Sequence, residues 1–160
     1  MPGLSACNTP PQVILTTGST SSPKSITVTD AERDCLGRAM YFEAKRSEAD
    51  GLLAVGTVVM NRFEAPSSPG SICGVVGQPR QFAAGVLTKP MAAKDIQKVA
   101  DVTDAVLDGA RHPAVGRAMH FHVAGRRFPY DNMHYVAEAG GNVFYEKRKA
   151  SPAEPAAPTR

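Results

Sequence analysis

The sequence has no tryptophan, and its other aromatics are sparse, with six Phe and four Tyr in 160 residues. A ligand surface that would ordinarily use Trp must therefore rely on Tyr, Phe and polar groups. There is no apolar run of eighteen or more residues, which excludes a membrane-spanning helix within this chain. Strong charge of either sign is lacking too: 18 Lys and Arg against 15 Asp and Glu leave +3. That balance favours proximity to an anionic polymer or a membrane surface and falls well short of nucleic-acid binding. No G-x-S-x-G elbow is present, which argues against a serine hydrolase. Neither a P-loop nor a dinucleotide fingerprint occurs, no internal repeat is found, and no cofactor is expected.

Cysteine is scarce, at three residues: Cys7, Cys35 and Cys73. None stands in a C-x-x-C pair or at metal-ligand spacing from a His, so no zinc site is expected. Cys7 lies in a Pro/Ser/Thr-rich leader, whereas Cys35 and Cys73 lie in patterned segments, and in an exported protein these two are the pair expected to form a disulfide. Leu4-Ser5-Ala6-Cys7 reads either as a lipobox preceding a lipid-modified Cys or as a chance tetrapeptide. The first reading confines any membrane association to a lipid anchor at Cys7.

The length suits one domain with flexible ends. Residues 1–28 read as a flexible tether and 147–160, basic and then Pro/Ala-rich, as a disordered tail. The folded domain is then 29–146, with 42% apolar residues across the whole chain to supply its core. Thr29 and Glu32 form a capping-box signature, and the apolar spacing of Cys35, Leu36, Ala39 and Met40 predicts a first helix. A second helix begins near Asp50 and runs through Phe63, apolar over much of its circumference and therefore central. Gly and Pro punctuate 64–91, which reads as irregular loop. A third helix runs from Ala92 to Asp108, with Ile96, Val99, Ala100, Thr103, Val106 and Leu107 on one side. Beyond it, alternation in Met119–Val123 and the apolar runs Tyr135–Ala137 and Val143–Tyr145 predict a small β element. The fold class is α+β, with a lysozyme-like arrangement of a helical N-terminal half and a small C-terminal sheet.

Glu43 is the residue that stands out chemically. It falls on the continuation of the apolar stripe of the first helix, beside Tyr41, Phe42 and Ala44. A carboxyl there is costly to bury charged, so its pKa rises and it can act as a general acid. The competing reading is an ordinary helix-end Glu paired with Arg38, Lys45 or Arg46. His120 and His122 share one strand face, which suits a polar cleft wall better than a metal site, since no third ligand at suitable spacing accompanies them. Gln78-Pro79-Arg80-Gln81-Phe82 sits in the irregular loop, either as binding residues or as loop packing.

These residues also carry a resemblance. DCLGRAMYFEAKRSEADGLLAVGTVVMNRF resembles the opening helices of the SleB-type, spore cortex-lytic cell-wall hydrolases. SICGVVGQPRQF resembles that family's Cys-Gly-Val-Val and Gln-Phe loop, and AMHFHV and GGNVFYE its C-terminal strands. The motifs run in the family's order over residues 31–146. The resemblance implies a lysozyme-like fold, peptidoglycan glycan strands as substrate, and cleavage of the β-1,4 bond between N-acetylmuramic acid and N-acetylglucosamine. It carries the catalytic acid onto Glu43 and makes Gln81, Phe82, His122, Asn142 and Tyr145 candidate substrate-binding residues. An exported protein of the periplasm or cell envelope is the expectation, and envelope proteins are candidate further partners under a scaffold reading. This chain departs from the family pattern at Ser47, at Gly51-Leu52 and at Gly140-Gly141.

Two-carboxylate hydrolysis needs a partner for Glu43 at a defined separation. Asp50, Glu64, Asp131 and Glu138 are the candidates. A one-carboxylate lytic transglycosylase route needs none, and it is the route that the family implies. The alternatives of another class are a peptidoglycan-binding envelope scaffold with little turnover and a His-based metal hydrolase.

Overall fold

The computed structural model describes residues 27–44 and 48–149. Cys7, most of the expected tether and most of the expected tail lie outside the described residues. Among the described residues, four helices precede a three-stranded antiparallel sheet, which makes the fold α+β. The helices are α1 (Asp30–Glu43), α2 (Ala49–Glu64), α3 (Ile72–Val76) and α4 (Ile96–Leu107), the last entered through a 3₁₀ turn over Ala93–Asp95. The strands β1 (His120–Val123), β2 (Met133–Ala139) and β3 (Asn142–Lys147) are ordered β1-β3-β2.

The first helix begins as its cap signature predicts, with the Thr29 hydroxyl oxygen accepting from the Glu32 amide at 3.2 Å. Glu32 does not close the reciprocal half of a capping box. Its carboxylate instead accepts from the amides of Ile72 at 2.6 Å and Cys73 at 3.1 Å, the first turn of α3. Ser71 Oγ accepts from the Gly74 amide at 2.9 Å. A five-residue helix inside the Gly/Pro-rich stretch is thus held by caps, one of them borrowed from 40 residues away. This helix replaces part of the loop expected over 64–91. The sulfurs of Cys35 and Cys73 are bonded beside it, with their Cα atoms 5.2 Å apart. Closing a 38-residue separation in this way contributes about 4 kcal/mol in the chain-entropy account.

Helix α2 is the centre of the molecule: Leu52, Ala54, Val55, Val58 and Val59 are fully buried. It packs against Leu36, Ala39 and Met40 of α1, Ile72 and Val75 of α3, and Val99 and Val106 of α4. One expected core position differs. Ile96 is 48% exposed, because the 3₁₀ entry places it at the first turn of α4, before the buried stripe of Val99, Thr103 and Val106.

The sheet meets the helices where Gly51, at the start of α2, crosses Gly140 in the β2–β3 turn. A Cβ on Gly51 would stand 2.5 Å from the Gly140 Cα, and Ala44 Cβ closes the same crossing at 3.4 Å. Gly140 also has φ = +54°, a conformation glycine adopts without strain. The C-terminal end of α1 is therefore locked between the start of α2 and the hairpin. Glu43 is the last residue of that helix.

Candidate active site

Three elements converge on Glu43. The first is β3, whose buried Asn142 donates from Nδ2 to the Glu43 carbonyl oxygen at 2.7 Å. That bond satisfies the last carbonyl of α1, which has no partner within the helix. The second is the loop after α3, where the Ala83 amide donates to Glu43 Oε1 at 2.5 Å. The third is α2, whose Asn61 and Arg62 dock the segment leading into β1. Asn61 Nδ2 donates to the carbonyls of Gly116 and Ala118, both at 2.9 Å, and Arg62 Nε donates to Met119 O at 2.7 Å.

Around the carboxyl lies an open cleft of about 240 Å³, lined by Glu43, Arg80, Gln81, Phe82, Phe121, His122, Val123, Arg126 and Asn142. The structure thus brings Gln81, Phe82, His122 and Asn142 together with Glu43. Tyr145 lines a neighbouring depression that shares His122 with this cleft. Of the alternative partners for Glu43, Arg38 pairs instead with Asp34 and with the Lys89 carbonyl. Lys45, Arg46 and Ser47 lie outside the described residues.

Among the described residues lining the cleft, Glu43 is the sole carboxylate. Asp50 faces His112 Nε2 at 3.1 Å and Glu64 pairs with Arg111 at 2.9 Å, so both are engaged elsewhere. Asp131 and Glu138 are exposed and do not line the cleft.

The environment of Glu43 raises its pKa above the usual carboxylate range. Burial is the largest cause, opposed by the Ala83 hydrogen bond and then by the positive charge of Arg62. Arg62 is itself mostly buried, with its guanidinium 5.2 Å from the centre of the Phe82 ring and 6.0 Å from that of Phe121. Its Nη1 is buried without a hydrogen-bond partner among the described residues. The sequence offered no sign of this residue's importance, since an Arg near the end of an amphipathic helix ordinarily faces solvent. Arg80, on the cleft rim, holds φ = 62°, a strained conformation for a residue with a side chain.

His122 is oriented from both sides. Nδ1 lies 2.9 Å from the Val123 carbonyl, which can only accept, so Nδ1 carries the proton. In the neutral ring Nε2 then accepts from the Tyr135 hydroxyl at 3.0 Å. His120, on the same strand face, stacks on Tyr145 with ring centres 5.3 Å apart. Burial, then the charges of Lys147 and Arg62, push His120 down to about 4, so at neutral pH it is an uncharged ring. Among the described residues no group of three or more His, Cys, Asp or Glu is placed to hold a metal ion.

The arrangement is one desolvated carboxyl in an open cleft walled by aromatic and basic side chains. Comparison with known proteins gives the family and the fold. Residues 46–145 match the family described as Cell Wall Hydrolase. That range is narrower than the 31–146 over which the motifs run, and Glu43 stands just upstream of it. A 49-residue stretch is 37% identical to the spore cortex-lytic enzyme of Bacillus subtilis (strain 168), covering 31% of this chain and 16% of that enzyme. The catalytic domain of the Bacillus cereus SleB protein superposes with a TM-score of 0.62 at 20% identity, over 81% of this chain and 100% of that one. The catalytic domain of the germination-specific lytic transglycosylase SleB from Bacillus anthracis gives 0.61 at 19% identity, over 75% and 98%. At such identities the two structures establish a shared fold.

Proposed function

The chain belongs to the cell wall hydrolase family, and from that premise we propose that it cuts the β-1,4 bond between N-acetylmuramic acid and N-acetylglucosamine in peptidoglycan, with Glu43 as general acid and then base. The observation that carries this reading is the desolvated Glu43 carboxyl, the one carboxylate in its cleft among the described residues. Protonated Glu43 gives its proton to the leaving glycosidic oxygen as the bond to the anomeric carbon breaks. The resulting carboxylate takes the proton of the muramoyl 6-hydroxyl as that oxygen attacks the same anomeric carbon. The product is a 1,6-anhydro sugar, no water is consumed, and the catalyst returns protonated.

The surroundings suit both halves of this cycle. Burial favours the protonated acid, while the Ala83 amide and the Arg62 charge lower the cost of the carboxylate once the proton has left. Asn142 acts as a positioning residue through the main chain of Glu43. Peptidoglycan as substrate puts the working protein outside the cytoplasm, where a Cys35–Cys73 disulfide persists.

Release of soluble fragments from purified peptidoglycan tests the reading. Turnover requires protonated Glu43, so activity is expected to fall as pH rises through the raised pKa of that group. Arg62 holds that pKa down, so an Arg62→Met protein is expected to lose activity at a higher pH than the wild type. A Lys in its place is expected to restore most of the difference. A folded wild-type protein that binds peptidoglycan and releases nothing would instead support a scaffold role.

A further inference from the structure

An antiparallel sheet with one face on the core ordinarily turns a polar face to water. Here β3 directs Asn142 and Phe144 toward the helices, both buried, while the opposite face carries His120, His122, Tyr135 and Tyr145. The loop after β1 adds Phe128 and Tyr130, whose rings lie nearly parallel at 13° with centres 6.2 Å apart. Phe128 also meets His122 edge-on at 4.8 Å. These rings are not sealed away: Tyr130 is 65% exposed, Tyr135 46% and Phe128 39%. Aromatics make up only ten of the 160 residues, so four of them on one open face (Phe128, Tyr130, Tyr135 and Tyr145) is a concentration that packing does not require.

The face is concave as well. Two depressions, of about 310 Å³ and 470 Å³, are floored by these rings, and both include His122, which also lines the Glu43 cleft. His122 is thus a wall common to the Glu43 cleft and to both depressions of this face. Among the described residues the charges at the rim are of one sign: Lys147 borders the first depression, Arg126 and Arg127 border the second, and no carboxylate lines either. His120 is neutral above about pH 4 and adds no charge there.

We propose that this aromatic face is a second sugar-binding surface, over which the glycan strand engaged at Glu43 continues. It rests on the reading of the Glu43 cleft as a peptidoglycan site. The apolar C–H faces of the sugar rings stack on Phe128 and Tyr130, and the carboxylates of the peptide stems pair with Lys147, Arg126 and Arg127. The feature favouring a peptide-bearing glycan over a protein partner is the combination of concave stacking platforms, a cationic rim and continuity with the cleft.

The test uses the full chain carrying Glu43→Gln, which keeps the surface and removes turnover, sedimented with insoluble purified peptidoglycan. Adding Phe128→Ala and Tyr130→Ala is expected to weaken binding by at least about tenfold. Because Tyr130 is mostly exposed, Tyr130→Ser alone serves should the double replacement disturb folding. Binding should also weaken with added salt, as cationic contacts require. Undiminished sedimentation of the folded aromatic variants would overturn the proposal while leaving the Glu43 reading intact. Failure of the Glu43→Gln chain itself to sediment would defeat both.

Discussion

A Glu43→Gln protein is expected to fold normally and to lose glycan cleavage by about 10²–10⁴-fold or more. The amide keeps the shape of the side chain, and its oxygen can still accept from the Ala83 amide, the bond Glu43 Oε1 makes. Asn142 is untouched by the change, because it binds the main-chain oxygen of residue 43. What disappears is the transferable proton, and no other acid lines the cleft among the described residues. Arg62 cannot substitute, since a guanidinium keeps its proton at any working pH. Thermal unfolding close to that of the wild type, beside activity near background, is the expected pair of results. If the folded variant retained most of its activity, the assignment of Glu43 would fail.

The second large effect concerns stability. Gly51→Val is expected to destabilise the fold by about 3 kcal/mol, because the added Cβ would meet the Gly140 backbone at 2.5 Å and a backbone atom yields only at a cost. For a domain of this size that corresponds to a fall in Tm of roughly 12 °C. Since Ala44 closes the same crossing, the damage should reach the end of α1 and displace Glu43 from Asn142. Any of this variant that remains folded is therefore expected to be impaired in turnover as well. A Gly51→Val protein with unchanged melting and activity would show that the crossing is looser than described.

Local signals carried much of the fold. The Thr29 cap, the stripe through Leu36, Ala39 and Met40, and the apolar girth of α2 are properties of neighbouring residues, and the helices form where those signals lie. The alternation around His120–Val123 likewise marks a strand. Glu43 was legible because its position on an apolar stripe is a local pattern with an electrostatic consequence. What the sequence hid is what depends on distant partners. Helix α3 depends on Glu32, 40 residues earlier, so the Gly and Pro around it read as loop. Gly140-Gly141, where the chain departs from its family's pattern, gains its meaning only against Gly51. Arg62 reads as a surface cation until Phe82 and Phe121 close over it. Phe128 and Tyr130 look like loop residues until β3 places Tyr145 beside His122.

Digestion of purified peptidoglycan in ¹⁸O-enriched water, with mass analysis of the released muropeptides, tests the central claim most directly. The one-carboxylate route predicts 1,6-anhydromuramoyl ends that carry no oxygen from solvent, formed by the wild type and absent with Glu43→Gln. Reducing ends labelled with ¹⁸O, or equal release by both proteins, would contradict it.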